Sequence, residues 1–433
     1  MIKRTYISGV LVFCMLCSVT LFALSQHFVN EEITPKWLGL MLFIGIEGVV
    51  WSMLNRKVTL PAKQILLILS CFFLFIFVRN WITLNFNPSS LIIFSGLLLL
   101  FFLLQQTVSA CSTLYLFGTV VSFSFALSLY GVLQYFGLIS SGNTYFPVTG
   151  SFDNPAGFAA ALACTLPMCF QFFKIEKKYL KYAAIVEAAI MALAVILSGS
   201  RAGILSIAIT IGVWIFVQSK IVRYKSLMRR KTALLIAIIF LSTVLYFFKK
   251  DSADGRLLIW RCTLDMVVDK PIFGHGKGAF QAKYMIYQAE YFKANPDSRY
   301  AQLADNALHP FNEYLLILCE HGITGLCVVV LLVFLLIKAY RSNQSNEKLP
   351  ALVSLLALSI FSFFSYPFKY PFTWVLLFLN LTVIYNFPNA CCNNFPLFVK
   401  KRNLLYRFTH RIILFLLFAG FFIFAIFQWF VIK

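Results

Sequence analysis

The sequence predicts an all-α, polytopic integral membrane helical bundle of about 12–13 transmembrane helices. One large periplasmic loop containing amphipathic helices is expected to interrupt it. Three observations carry this expectation. The chain is 60% hydrophobic, 17% aromatic and 12% charged, with 48 Phe, which is not the composition of a soluble domain. Apolar runs of about 18 residues or more recur along it, long enough to cross a bilayer. The basic residues behind the net charge of +21 fall mostly in alternate short loops, where they report orientation. In a soluble chain that charge would suggest nucleic acid; here no nucleic-acid partner is expected, and membrane lipid is the surrounding medium.

The chain opens with Met1-Ile2-Lys3-Arg4 and an apolar run to about Leu24. This resembles a signal peptide, but the run is long for one and reads as an uncleaved first span. Thirteen spans are expected, near 6–26, 37–54, 65–84, 91–108, 112–136, 156–173, 182–199, 202–218, 232–248, 311–337, 351–367, 371–387 and 412–431. One set of loops holds Lys3 and Arg4, then Arg56, Lys57 and Lys63, the lysines at 174, 177, 178 and 181, and six basic residues between 220 and 231. Further on it holds Lys338, Arg341 and Lys348, and five basic residues between 400 and 411. The opposite short loops keep only Lys36, Arg79, Arg201 and Lys369. The N-terminus is therefore expected in the cytoplasm and the large loop in the periplasm. The divisions expected are an N-terminal bundle of about nine spans at 1–248, the loop at 249–310, C-terminal core spans at 311–387, and a basic cytoplasmic linker with a final span at 388–433.

Within the loop, Leu257, Trp260, Arg261, Leu264 and Val268 recur at helical spacing, as do Phe280, Tyr284, Tyr287 and Tyr291. Both segments read as amphipathic helices at the bilayer surface, with aromatic rings at headgroup depth. The Pro-x-x-Gly-x-Gly-x-Gly stretch at 271–278 reads as a turn between them. Its glycines are not a nucleotide loop, because the strand-glycine-helix context and a Lys-Ser/Thr ending are missing.

Four polar features far apart in sequence fall on one face: Gly150-Ser151-Phe152-Asp153-Asn154-Pro155, Ser198-Gly199-Ser200-Arg201-Ala202-Gly203, the long loop, and His309 to Glu313. Arg201, in a very short turn, serves either as an interface anchor or as an anion ligand, with Ser200 and the glycines offering hydroxyl and N–H donors suited to phosphate. Arg256 and Arg261 are either part of a solvated helix face or guanidinium ligands of a diphosphate. His309 is either a bystander at a helix start or a general base that titrates near neutrality. Asn312 and Glu313 suit helix capping as well as substrate contact, and Asn154 belongs to the same face. Glu320, about two turns below His309, is expected toward the same cavity. Glu47 falls mid-span, as a functional carboxylate or a neutral hydrogen-bonded one.

Most of the 11 cysteines sit inside apolar spans and read as packing residues. Cys391-Cys392 lacks zinc-site spacing, no disulfide framework is implied, and scattered acidic residues support no metal. No cofactor is expected.

Together these pieces resemble the O-antigen ligase and O-antigen polymerase superfamily of bacterial membrane glycosyltransferases. The resemblance rests on the 150–155 and 198–203 stretches, Arg256 through Trp260, Pro271-Ile272-Phe273-Gly274-His275-Gly276, and His309-Pro310-Phe311-Asn312-Glu313-Tyr314. It extends to Glu320-His321-Gly322-Ile323-Thr324-Gly325-Leu326, with all pieces in family order. It implies a transferase that takes a glycan from an undecaprenyl-diphosphate-linked donor at the periplasmic face of the inner membrane. The acceptor is lipid A core in the ligases, another glycan in the polymerases, or a protein hydroxyl. The resemblance also implies an inverting, metal-independent reaction. By motif position the family's two critical arginines and histidine fall on Arg201, Arg256 and His309, with Arg261 an alternative to Arg256. Many relatives carry a second histidine where this chain has Phe311. The favoured expectation is a ligase acting on lipid A core, with polymerase and protein O-oligosaccharyltransferase as alternatives. From another class the rival is a lipid-linked glycan flippase, which would carry midplane charge and repeat symmetry.

Overall fold

The computed structural model describes residues 2–20, 34–54, 60, 62–82, 88–108, 113–218, 232, 240, 242–247, 249–342, 345, 347–385 and 404–432. The protein is a helical, polytopic membrane protein, without strands among the described residues. The helices are α1 (Ile2–Thr20), α2 (Thr34–Leu54), α3 (Lys63–Ile82), α4 (Pro88–Val108), α5 (Thr113–Tyr135), α6 (Pro155–Thr165), α7 (Lys178–Leu197) and α8 (Arg201–Gln218). Then come α9 (Lys250–Asp269) and α10 (Ala279–Ala294) in the large loop, and α11 (Glu313–Ser342), α12 (Lys348–Phe364), α13 (Pro371–Tyr385) and α14 (Leu404–Ile432). Most of the expected 232–248 span, the basic run at 220–231 and Cys391-Cys392 lie outside the described residues.

At the centre stands α6, whose Pro-Ala-Gly-Phe-Ala-Ala-Ala-Leu-Ala-Cys-Thr sequence is almost entirely buried. Small side chains let neighbouring backbones approach closely where lipid supplies no hydrophobic drive between helices. A Cβ on Gly203 of α8 would stand 3.0 Å from that of Ala159, and one on Gly157 would stand 2.6 Å from the Tyr370 ring. Hydrogen bonds tie the bundle across helices: Ser354 Oγ donates to the Cys164 carbonyl at 2.5 Å, Asn380 Nδ2 to Ser354 Oγ at 2.9 Å, and Ser206 Oγ to the Ala357 carbonyl at 2.8 Å. Pro167 lies where α6 gives way to a 3₁₀ turn, Leu166–Lys174, because proline cannot continue the hydrogen-bond ladder. Although residues 386–403 separate it from α13, α14 packs against α2. Gly45 and Gly48 make room there for Phe422 and Phe418. Glu47, on the same helix, is buried, with the Thr107 hydroxyl 3.5 Å from its Oε1.

The loop departs from the expected surface-lying pair. Phe280 and Tyr284 are fully buried, and Tyr287 and Tyr291 pack beside them. They meet Leu258, Cys262 and Met266 of α9 and Cys319 of α11 in a second core. The aromatic stripe of α10 thus covers protein. On α9 the buried row is Leu258, Cys262 and Met266, while Leu264 and Val268 are exposed. Helix α9 carries apolar side chains on more than one face, so spacing alone did not show which one turns inward.

The 271–278 turn docks into a break in α11. Gly322 there has φ 63°, and Gly274 has φ 67°, both in the left-handed region that favours glycine. The two strands of chain pair: His275 N–H donates to the Cys319 carbonyl (2.8 Å), Gly276 N–H to Glu320 (2.9 Å), and Ile323 N–H to Pro271 (2.8 Å). Arg79 at the end of α3 donates to the carbonyls of Phe273, Gly274 and Glu320. Glu320 is committed to this turn, its Oε1 accepting from Gly278 N–H at 2.7 Å. It therefore does not join His309, as its helical spacing had suggested; the break at Gly322 and the docked turn take it instead.

Candidate active site

Three helix starts and one turn meet at the loop-bearing end of the bundle. Helix α6 begins at Asn154, whose Oδ1 accepts from Ala156 N–H (2.9 Å). Ahead of α8, Ser200 Oγ accepts from Gly203 N–H (3.4 Å). Helix α11 begins at Asn312, whose Oδ1 accepts from the N–H groups of Tyr314 (3.0 Å) and Leu315 (3.1 Å). All three side chains thus fill orphan donors at helix N-termini. The Glu313 carboxylate accepts from Phe368 N–H at 3.1 Å, fixing the turn at 365–370 beside the start of α11.

Arg201 and Arg256 come together. Both line one cavity of ≈ 210 Å³, with Ala202, Leu205, Leu245, Leu257, Trp260 and Phe364 forming its apolar wall. Arg201 donates to the Lys249 carbonyl (3.0 Å) and to Ser252 Oγ (3.0 Å). Arg256 donates to the Phe364 carbonyl (2.7 Å), and its guanidinium lies 4.8 Å over the Phe311 ring. Burial, and then the neighbouring Arg201, push Arg256 down to about 10, with Tyr366 opposing. It stays charged at neutral pH. Two cations side by side against an apolar wall repel each other unless an anion joins them. Arg261 does not enter this cavity. It is exposed and faces Asp265 at 3.8 Å, one helical turn on.

His309 stacks on Tyr366, centroids 4.6 Å apart and planes at 22°. Neither ring nitrogen makes a hydrogen bond among the described residues. Burial, and then Lys369, lower its pKa to about 4, with Asp153 opposing. The imidazole is therefore neutral at ordinary pH and has a lone pair to offer. Tyr366 stacks on His309 and feels the charge of Arg256. Its pKa is pushed up to about 12 by burial and Asp153, against the pull of Arg256, so it remains a neutral phenol. Phe311 packs edge-on to Tyr366 at 5.2 Å. With φ 53° it is the single non-glycine residue in the left-handed region among those described, a conformation that stores strain and is common at functional sites. Trp260 Nε1 donates to the Pro310 carbonyl at 2.9 Å and fixes α9 against this segment.

Tyr366, Lys369 and Asp153 were not foreseen as site residues. Lys369 bonds Asp153 Oδ2 at 3.0 Å, and Trp37 Nε1 donates to the Lys369 carbonyl at 3.1 Å. A signal was present in Ser-Tyr-Pro-Phe-Lys-Tyr-Pro at 365–371, a turn with two prolines that keeps a lysine on the face otherwise poor in them.

Residues 187–330 match the O-antigen ligase family model. The match supports the O-antigen ligase superfamily, and at the family level a ligase- or polymerase-type membrane glycosyltransferase. No curated protein matches the chain. The matched segment holds Arg201, Arg256, His309 and the docked glycine turn. Asp153, Tyr366 and Lys369 lie outside it, so the site joins the family segment to the rest of the bundle.

Proposed function

We propose that the protein is an O-antigen ligase-like transferase. It moves a glycan from undecaprenyl diphosphate to an acceptor hydroxyl, favouring lipid A core, at the periplasmic face of the inner membrane. The observation that carries this reading is the pairing of Arg201 and Arg256 in one apolar-walled cavity, with an uncharged His309 stacked on Tyr366, whose phenol feels the Arg256 charge. Paired guanidinium groups suit the two phosphates of the donor, and the apolar wall suits the start of its lipid tail.

His309 takes the proton of the acceptor hydroxyl. The acceptor oxygen bonds to the anomeric carbon from the side opposite the phosphate, the carbon–oxygen bond to phosphate breaks, and the electron pair leaves with undecaprenyl diphosphate. Configuration inverts. Arg201 and Arg256 hold the charge that grows on the leaving group. None of these steps calls on a metal.

A deletion strain tests the reading, with surface polysaccharide resolved beside its undecaprenyl-linked pool. Long chains that build up on the lipid carrier while lipid A core stays bare are the result expected. A bare protein acceptor instead identifies a protein O-oligosaccharyltransferase, and acceptor bearing a single repeat identifies a polymerase. An unchanged lipid-linked pool and surface overturn the transferase reading.

A further inference from the structure

The short loops at this end of the bundle keep few basic residues, and each has a defined place. Arg79 is taken up by three backbone carbonyls, and Arg201 lines the donor cavity with Arg256. Lys369 is not among the residues lining that cavity and neighbours the His309–Tyr366 stack instead. Its Nζ lies 5.6 Å over the Tyr366 ring and 6.0 Å over that of Tyr370, and 3.0 Å from Asp153 Oδ2. Side chains of the ion pair are each 24% exposed, so solvent reaches it. Lys36 of α2 flanks the same loop, donating to the Ser151 carbonyl and lying 5.0 Å over the Phe152 ring. A two-substrate transferase needs two recognition sites near its base, and Lys369 is a cation beside the Tyr366 ring on which His309 stacks, outside the lining of the cavity that holds Arg201 and Arg256.

Resting on the transferase reading above, we propose that Lys369 is the docking point for an anionic group, a phosphate or carboxylate, on the acceptor glycan. Docking there also strengthens His309 as a base. In the free protein Lys369 opposes a positive charge on His309, while Asp153 favours it. An acceptor anion that pairs with Lys369 neutralises the opposing cation and releases Asp153 toward the imidazole. His309 then takes the hydroxyl proton more readily, and only when acceptor is in place. The donor is thereby guarded against attack by water. The groups facing His309 are Tyr366, on which it stacks, Lys369 and Asp153.

Full-length protein in liposomes, with undecaprenyl-diphosphate glycan, is given lipid A core with its phosphates intact or removed by phosphatase. Wild type is expected to use the phosphorylated acceptor about tenfold more efficiently, the ratio for loss of one ion pair from binding. Lys369→Gln should bring the two acceptors within about twofold while leaving the KM for donor unchanged, and Lys369→Arg should restore the preference. With the dephosphorylated acceptor, Lys369→Gln should move the acid limb of the rate profile to higher pH, and Asp153→Asn to lower pH. A preference that survives Lys369→Gln, or none in wild type, overturns the inference and leaves the transferase reading standing. Wild type that transfers to neither acceptor overturns both.

Discussion

The imidazole of His309 and the phenol ring of Tyr366 lie nearly parallel, 4.6 Å between centroids. The stack sets the ring's plane without using either nitrogen. Tyr366 also feels the charge of Arg256, and Phe311 packs against both, edge-on to the Tyr366 ring and under the Arg256 guanidinium. Removing the ring should loosen both proposed catalytic groups, His309 and Arg256, at once. Tyr366→Ala is expected to lower kcat roughly 10²-fold, the cost of a misplaced catalytic group, whereas Tyr366→Phe keeps the stack and stays within about threefold. Equal losses in the two variants would show that the hydroxyl, rather than the ring, matters.

Because burial holds His309 near 4, transfer should be flat from about pH 5 to 8 and fall only below that range. The same shift makes a stability statement. A histidine whose folded pKa lies below its unfolded value, about 6.5, favours the fold above 6.5, and this contribution is lost as pH falls toward 4. Thermal unfolding of His309→Gln, followed between pH 7 and 4, should therefore show a shallower acid loss than wild type.

Lysine cannot replace arginine where a planar fork must hold two phosphate oxygens. Arg201→Lys and Arg256→Lys should each lower kcat by about 10²–10³-fold, the range for one lost donor to a developing negative charge. Arg261→Ala, on the exposed side of α9, should stay within about twofold. A large loss at Arg261 would mean that α9 turns its other face to the substrate.

The docked glycines should be intolerant of a Cβ. At Gly274 it would lie 2.5 Å from the Glu320 carbonyl carbon, and at Gly322 it would lie 2.4 Å from the Ile272 carbonyl oxygen. Both contacts are with backbone, and both residues have positive φ. Alanine at either is expected to cost about 1–3 kcal/mol, read as a lowered midpoint of thermal unfolding in detergent. Alanine at Gly420, with nothing within 4 Å, should not destabilise. Glycine 274–278 is thus a structural clasp, in keeping with its lack of phosphate-loop context.

Helical content was legible because it follows from composition, and the candidate residues could be proposed from local order alone. Arg201, Arg256 and His309 stand at fixed places among recognisable turns, and the structure does bring the first two together in one cavity. Other residues behaved less simply. Asn154, Ser200 and Asn312 turn out to cap helices, a use their residue types allowed from the start. Glu320 was misplaced because helical periodicity cannot foresee a break at Gly322 filled by a turn more than forty residues upstream.

By itself, the sequence determined that this chain forms apolar helices long enough to cross a bilayer, since hydropathy and length are additive along a chain. It also determined which polar segments share one end of the bundle, since charge in short loops fixes alternation. Only the tertiary structure decided that the aromatic row of α10 faces a second core, that Arg261 points away from Arg256, and that Tyr366, Lys369 and Asp153 complete the site. These outcomes depend on which of several apolar faces meets a partner and on contacts between residues distant in sequence, such as Tyr366 with His309 and Lys369 with Asp153. Periodicity cannot encode them; close packing of particular side chains does.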